Sequence, residues 1–354
     1  MFRIIVINIG STSTKLGLFG NQEALIKETV EHSPEKLSLL DTYDDWLSFH
    51  QGTVDRVLES EKTELGKIDL LVSRGGLTKP IEGGAYRINE DMLHDLRLGA
   101  YGWHPTNIGP NIAHRLADRY GAEAIIYDAP VTEEYMKLSK FSGLKGVERR
   151  SAIHVLSQKS AARKAAQDFN MPLEEANFIV AHLGGGITIG AHRKGRIIDG
   201  THGLSEGPFT PQRTGALPVL DLVELCFSET VSKAELNEKL FGKGGVYSYL
   251  GTHDLREVEA LISEGDDEAL LVLQAMAYQI SKDICSMAAA LEGHINGVVL
   301  TGNLCWAQTL LREIQKRISF LGKVMVYPGE DELENLAFGG YLVLTRAEKI
   351  KQYS

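Results

Sequence analysis

The segment NIGSTSTK, residues 8–15, combines an amide, a glycine, four hydroxyls and a lysine, with no acid among them. Asn8, Ser11, Thr12, Ser13 and Thr14 offer hydrogen bonds, Gly10 permits close backbone approach, and Lys15 brings a positive charge. That set suits phosphate oxygens. A second such segment, AHLGGGITIG, sets Gly184, Gly185 and Gly186 directly after His182 and Leu183. Consecutive glycines leave backbone N–H groups able to face an anion with no side chain in the way. A third glycine turn, Gly302 and Asn303 in TGNL, ends a later apolar run. Any one of these fits an ordinary tight turn equally well, because Gly and Ser dominate turns. Recurring at equivalent places in a repeated pattern, they favour two hairpins that grip a polyphosphate such as that of ATP from opposite sides of a cleft.

The elements that must hold these turns follow from hydrophobic periodicity. FRIIVINI and TKLGLFG predict paired strands around the first loop, with a third strand near EALIKETV. DDWLSFHQGTVDRVLESEKTEL has helical spacing at Trp46, Phe49, Val54, Val57 and Leu58. KIDLLVSRGG predicts a short buried strand, NIGPNIAHRLADRYG a helix, and AEAIIYDAPVT a strand ending at Asp128. The pattern then restarts. SAIHVLSQKSAARKAAQDF predicts a helix, NFIVAHLGGGITIGAHRKGRIID a hairpin with a further turn, and a long helix runs from about Asp266 to Glu292. NGVVLTGNL and KVMVYPG are strands, and ELENLAFGGYLVLTRAEKI is the last helix. Two related α/β halves are expected, each opening with a hairpin that presents donors at its tip. The apolar stretch LLVLQAMAYQISKDICSMAAAL fits either a subunit interface or a buried helix.

Composition limits the partners. A formal charge of −10 over 354 residues leaves no basic surplus for nucleic acid or an anionic membrane. Cys226, Cys285 and Cys305 form no CxxC pair, which reads as reduced thiols rather than a zinc site or disulfide frame. No run approaches the roughly 20 apolar residues of a membrane span, and MFRIIVINIG reads as a first strand rather than a signal peptide. A cytoplasmic protein is expected. Walker A and GxGxxG patterns are absent, so the P-loop and Rossmann routes are unsupported, and Ser-rich elements such as GPFTPQRTG lack the GxSxG context of a hydrolase nucleophile. His32, His50 and His94 lack metal spacing and read as surface or helix-cap histidines.

Eight segments in this order resemble the acetate and propionate kinase family, within the actin, sugar-kinase and Hsp70-like superfamily, most closely its butyrate-kinase branch. They are NIGSTSTK, SRGGLTKPIEGGAYRIN, RRSAIHVLSQK, AHLGGGITIGAHRKGRIID, GPFTPQRTGALP, LGTHDLREV, VVLTGNL and YPGEDELENLAFG, from residue 8 to about 340. The chain departs from that branch at Ile9 (usually proline), at TGNL (usually TGGI), and in THGLSEGPF, which lacks the usual acidic run. The resemblance implies an α/β fold of two ribonuclease-H-like, actin-type domains with mixed central sheets and an interdomain cleft. The expected division is an acyl-kinase domain over 1–150 plus about 333–354, and a nucleotide domain over 151–332.

The implied reaction passes the γ-phosphoryl group of ATP, with Mg²⁺, reversibly to a short-chain carboxylate, giving ADP and an acyl phosphate. The acid is already an anion at neutral pH, so the difficulty is electrostatic: two anions must meet. By resemblance Arg74 meets the carboxylate and the transferred group, and Arg213 stabilises that group from the other domain. Their planar forks match both kinds of oxygen. His154 matches the catalytic histidine. Asp128, with Asn8 and Glu332, would place Mg²⁺ largely through waters, although Glu330 and Glu334 compete with Glu332 for that role. ATP would be held by Gly10, Ser11, Thr12, Ser13, Lys15, His182, Leu183, Gly184, Gly185, Gly186, Asp254, Leu255, Arg256, Gly302 and Asn303. Ile153 and Pro211 would line the acid pocket. Acetate kinases carry an aromatic ring where Ile153 stands, and the lost ring leaves room for extra methylenes, each worth about 0.8 kcal/mol when buried. A preference for butyrate, isobutyrate or similar acids over acetate is expected, with acetate or propionate the alternative. The resemblance also implies a homodimer or higher homo-oligomer. A sugar or polyol kinase would need a carboxylate base, for which Asp128 is the obvious candidate. A regulator that binds ATP without turnover would not require the residues that serve the γ-phosphate.

Overall fold

The structure, a computed structural model, describes residues 1–60, 65–228 and 230–354, so residues 61–64 of the helix expected after Asp44 lie outside it. The chain parts into two compact units, residues 1–133 with 331–354, and residues 134–330.

In the first unit β1 (Arg3–Ile9), β2 (Ser13–Gly20) and β3 (Glu23–Glu31) form an antiparallel meander. Helix α1 (Tyr43–Ser60) leads to β4 (Leu70–Ser73), which lies parallel to β1. Then come β5 (Ala85–Arg87), α2 (Glu90–Leu98), α3 (Ile108–Tyr120) and β6 (Glu123–Tyr127). The sheet order is β3-β2-β1-β4-β6-β5. Ile4, Ile5, Val6 and Ile7 of β1 are all fully buried. That is the expected consequence of a continuous apolar run in a strand covered on both faces. α3 packs on one face, and the C-terminal helix Glu332–Leu344 on the other. This helix carries the pair Gly339–Gly340 where it touches the sheet: a Cβ on Gly339 would sit 2.4 Å from the Tyr127 ring.

The second unit repeats the plan. α4 (Val155–Asp168) precedes β7 (Asn177–Leu183), β8 (Ile187–Arg193) and β9 (Arg196–Gly200), another antiparallel meander. The apolar helix α5 (Val219–Phe227), α6 (Leu255–Ser263) and the long α7 (Asp267–Ala290) follow, then β10 (Gly297–Gly302), α8 (Gln308–Ile318) and β11 (Val324–Pro328). The order β11-β10-β7-β8-β9 reproduces β6-β4-β1-β2-β3 of the first sheet, with β10 parallel to both β7 and β11. Ala161, Ala162, Ala165 and Ala166 of α4 are buried against Phe178, Val180 and Val299, small side chains that let helix and sheet approach. On α7, Val272, Leu273, Met276, Ala277, Ile280, Ile284 and Met287 form a buried stripe at helical spacing, while Leu271 and Tyr278 stay exposed.

The α/β architecture with two mixed sheets is the one expected. Three local expectations change. Residues 85–98 hold β5 and α2, which periodicity did not reveal: the strand is three residues long, and the helix is bounded by its Asn89 cap and by Gly99 at φ 62°. α4 begins at Val155, so that His154 is its N-cap rather than an interior residue. His50 is no surface histidine; it is fully buried. Among the described residues no helix is long and apolar enough to cross a membrane.

Candidate active site

In the first unit the β1–β2 turn closes with a hydrogen bond from the Gly10 N–H to the Ser13 carbonyl, 2.9 Å. Ser11 and Thr12 are exposed at its tip, and Ser13 is buried. Asn8 and Lys15 are directly opposed in the ladder, which puts their side chains on one face of the sheet. The parallel pairing of Ile7 with Ser73 brings Arg74 to the same end. All three converge on Glu332, in the first turn of the C-terminal helix. Asn8 Nδ2 donates to Glu332 Oε2 at 2.8 Å, Lys15 Nζ lies 2.9 Å from the same oxygen, and Arg74 Nη1 lies 3.0 Å from Oε1. Burial pushes the Glu332 carboxyl up, but the charges of Arg74 and Lys15, with hydrogen bonds from Lys15 and Asn8, hold it below its ordinary value. Two cations around one carboxylate leave a local positive surplus.

Asn8 Oδ1 is buried and has no hydrogen-bond partner among the described residues. An amide oxygen of this kind is a donor that Mg²⁺ accepts, so Asn8 fits a role beside the metal. No group of three or more His, Cys, Asp or Glu residues that could cage a metal occurs among the described residues. Asp128, just past β6, is buried at φ 42°, and its Oδ1 accepts from the Gly84 N–H at 2.8 Å. A non-glycine residue held in the left-handed region stores strain of order 1 kcal/mol, a feature that clusters at functional sites. Near Arg74 lies His104, which no sequence signal singled out; burial and then the Arg74 charge lower its pKa.

The second unit builds its own cluster around the β7–β8 turn. The Gly184 N–H donates to the Gly186 carbonyl at 3.2 Å, and Thr210 Oγ1 donates to the Gly185 carbonyl at 2.9 Å. A Cβ on Gly186 would sit 2.7 Å from Arg213 Nη1 and 3.3 Å from His154 Cε1. The glycine marks where His154 and Arg213 converge. The rings of His154 and His182 stack at 4.0 Å. His182 Nδ1 lies 2.8 Å from Ser157 Oγ, and its Nε2 lies 3.1 Å from Glu330 Oε1.

Arg213 is held by a bond from Nη1 to the Gly203 carbonyl at 3.0 Å. Its Nε is buried without a partner, and no carboxylate pairs with it among the described residues. Burial lowers its pKa. A half-buried guanidinium with no counter-ion is costly and suits an incoming anion.

The three glutamates have different partners: Glu330 meets His182, Glu332 meets Asn8, Lys15 and Arg74, and Glu334 pairs with Lys27. Leu183 is buried at the end of β7. Gly302, at φ 96°, lies against it: a Cβ there would be 2.4 Å from the Leu183 carbonyl oxygen. Asn303 is exposed. Asp254 caps α6 by accepting from the Arg256 N–H at 2.9 Å, and it also binds the Arg256 guanidinium. Those bonds hold its carboxyl at about 2. Leu255 is buried, whereas the Arg256 side chain is exposed. Pro211 is buried and its carbonyl accepts from the Tyr247 N–H. Ile153 packs with Tyr135, Val155 and Ile197.

Solved structures share this architecture. The chain aligns over 95% of its length with 98% of the acetate kinase of Porphyromonas gingivalis, at 20% identity and TM-score 0.76. A propionate kinase from Francisella tularensis subsp. tularensis SCHU S4 matches at 20% identity and TM-score 0.69, covering 96% of this chain and 99% of that one. The acetate kinase of Entamoeba histolytica matches at 15% identity and TM-score 0.73, covering 97% and 100%. At such identities the likeness establishes the fold, two actin-type α/β domains. The model of the acetokinase family matches residues 130–336, more than half of the chain, including the hairpin, His154 and Arg213. On that match the chain belongs to the acetokinase family.

Proposed function

We propose that the chain is a short-chain carboxylate kinase that transfers the γ-phosphoryl group of ATP to acetate or propionate, giving an acyl phosphate and ADP. The observation that carries the reading is Arg213, a half-buried guanidinium with no counter-ion among the described residues, beside a glycine turn and His154. In the forward step a carboxylate oxygen attacks the γ-phosphorus in line, and the bond to the bridging oxygen breaks with its electron pair leaving on ADP. Arg74 orients the acid, Arg213 and His154 neutralise charge on the equatorial oxygens, and Lys15 with the turn 10–14 and the turn 184–186 bind phosphates. No general base is needed, since the nucleophile is already ionised. Mg²⁺ would be held through Asn8 Oδ1, with Glu332 and Asp128 acting through water, and when bound it supplies charge neutralisation on the phosphates. The first unit would serve the acid and the second the nucleotide, with Asp254, Leu255, Arg256, Gly302 and Asn303 on the adenosine side.

Butyrate is the second reading, favoured by the aliphatic Ile153, while the kinases named above act on acetate and propionate. A hydroxamate assay with linear and branched acids of two to six carbons separates them. Acyl hydroxamate is expected to be highest with acetate or propionate; a maximum at butyrate or isobutyrate selects the second reading. No product with any acid, together with ADP release on glycerol or a sugar, would overturn the carboxylate-kinase reading.

A further inference from the structure

A polar chain runs through the core of the second unit behind His154. Thr188 of β8 and Gln158 of α4 are completely buried, and His192, further along β8, is 1% exposed. Thr188 Oγ1 has three polar neighbours among the described residues: Gln158 Nε2 at 2.9 Å, the His154 backbone N–H at 3.3 Å and His154 Nδ1 at 2.9 Å.

Gln158 Nε2 also lies 3.1 Å from the Thr188 carbonyl, which can only accept, so that atom is the amide nitrogen and Oε1 is the carbonyl oxygen. Oε1 lies 3.1 Å from His192 Nε2, which must then carry a proton and donate to it. The room for this contact comes from Gly190, where a Cβ would sit 2.4 Å from Gln158 Oε1. With its orientation fixed, Gln158 donates to Thr188 Oγ1, and so does the His154 backbone N–H. Both lone pairs of the hydroxyl are thereby used. Among the described residues its hydrogen has one acceptor in reach, His154 Nδ1, and the threonine has zero exposure. A proton on Nδ1 would instead aim a third donor at the same oxygen and strand a buried hydroxyl hydrogen, at a cost of about 1–3 kcal/mol.

We infer that Thr188 is a positioning residue that fixes His154 as the Nε2–H tautomer, with Gln158 and His192 locking the threonine hydroxyl in its donating orientation. The consequence for catalysis rests on the carboxylate-kinase reading. His154 is then a permanent hydrogen-bond donor through Nε2 to phosphoryl oxygens, rather than a group that must first find the right tautomer. The stacked His182 ring and the Gly186 turn leave it in place beside Arg213.

The test has a spectroscopic and a kinetic arm. In ¹⁵N-histidine-labelled protein, two-bond ¹H–¹⁵N couplings distinguish the tautomers, with His154 assigned by its disappearance in His154→Asn. Nε2–H is expected in the parent and in Thr188→Ser, and a mixture of tautomers in Thr188→Val. In acyl-hydroxamate kinetics Thr188→Val should lower kcat about 10- to 100-fold, with KM for ATP changed less than about threefold, while Thr188→Ser retains most of the parent rate. Gln158→Leu, which unlocks the hydroxyl without removing it, should fall between them and stands in if Thr188→Val does not fold. An Nδ1–H signal for His154 in the parent overturns the inference whatever the activity. So does a Thr188→Val enzyme with parental kcat. A parent that phosphorylates no acid while showing Nε2–H defeats the functional reading and leaves the tautomer assignment standing.

Discussion

Arg213 has an electrostatic environment that stability alone does not explain. Its head group is half-buried, its Nε lacks a partner, and burial pushes its pKa down. A cation so placed is unfavourable in the unliganded protein and becomes favourable once an anion arrives. Arg213→Ala should therefore lower kcat by roughly 10²–10³, the usual cost of one lost transition-state donor. Its thermal midpoint should equal or exceed the parent's. Arg213→Lys should recover little of the rate, because an ammonium cannot reproduce the planar fork. Steady-state kinetics and melting curves on the same preparations check both halves; a large loss of stability in Arg213→Ala would recast the residue as structural. Much of this was readable in the sequence, since Arg213, His154 and the glycine run sit in recognisable segments. The role of Thr188 was not, because nothing local to ITIG shows that its hydroxyl meets His154 across the start of α4. Nor could the sequence choose among Glu330, Glu332 and Glu334. Steps of two residues along the chain send them to His182, to the Arg74 cluster and to Lys27.

Among the elements, the strands were legible because β1, β7 and β10 are each built around a short apolar run and are buried at almost every position. The long helices announced themselves by spacing. β5 and α2 did not, as short pieces between glycines carry too little periodicity to register. The C-terminal helix is the clearest case of an element that local preference would misjudge. Replacing a mid-helix glycine by alanine ordinarily gains about 1 kcal/mol. At Gly339 the added Cβ would fall 2.4 Å from the Tyr127 ring, inside a packed helix–sheet contact. Gly339→Ala should thus destabilise, by about 1–3 kcal/mol, as overpacking does. Urea titration measures this directly, and a stabilised variant would mean that the helix rides higher on the sheet than described here. The same helix carries Glu332, so the displacement should also weaken ATP-dependent activity.

At the scale of the molecule, one sheet plan is used twice: β6-β4-β1-β2-β3 and β11-β10-β7-β8-β9. Arg74 after β4 and Gly302 at the end of β10 are topological equivalents, as are the turns at 10–12 and 184–186. In a chain of formal charge −10, Lys15 and Arg74 gather at these strand ends in the first unit and Arg213 lies beside the 184–186 turn in the second, an arrangement that suits anions. Each unit has its own core, and the core of the first contains a built-in acid sensitivity. His50 is fully buried, its Nδ1 lies 2.7 Å from Thr14 Oγ1, and His32 Nε2 reaches the same hydroxyl at 2.8 Å. Trp46 stacks on the His50 ring, and Phe49 meets it edge-on. Burial, then the neighbouring His32, lowers the His50 pKa to about 4 from the model-peptide 6.5. Below pH 6.5 the unfolded chain takes up a proton at this residue that the folded chain refuses until about pH 4, so stability falls with falling pH across that window. The full loss is about 3.5 kcal/mol at about 1.4 kcal/mol per unit. His50→Leu should flatten this part of the stability–pH curve, although its stability at neutral pH also drops because Thr14 loses a partner. Trp46 and Trp103 lie in the first unit and only Trp306 in the second, so tryptophan emission during urea titration at pH 7, 6, 5 and 4.5 follows chiefly the unit that holds His50. An unchanged slope in the variant would mean that His50 takes up its proton as readily in the folded protein as in the unfolded chain.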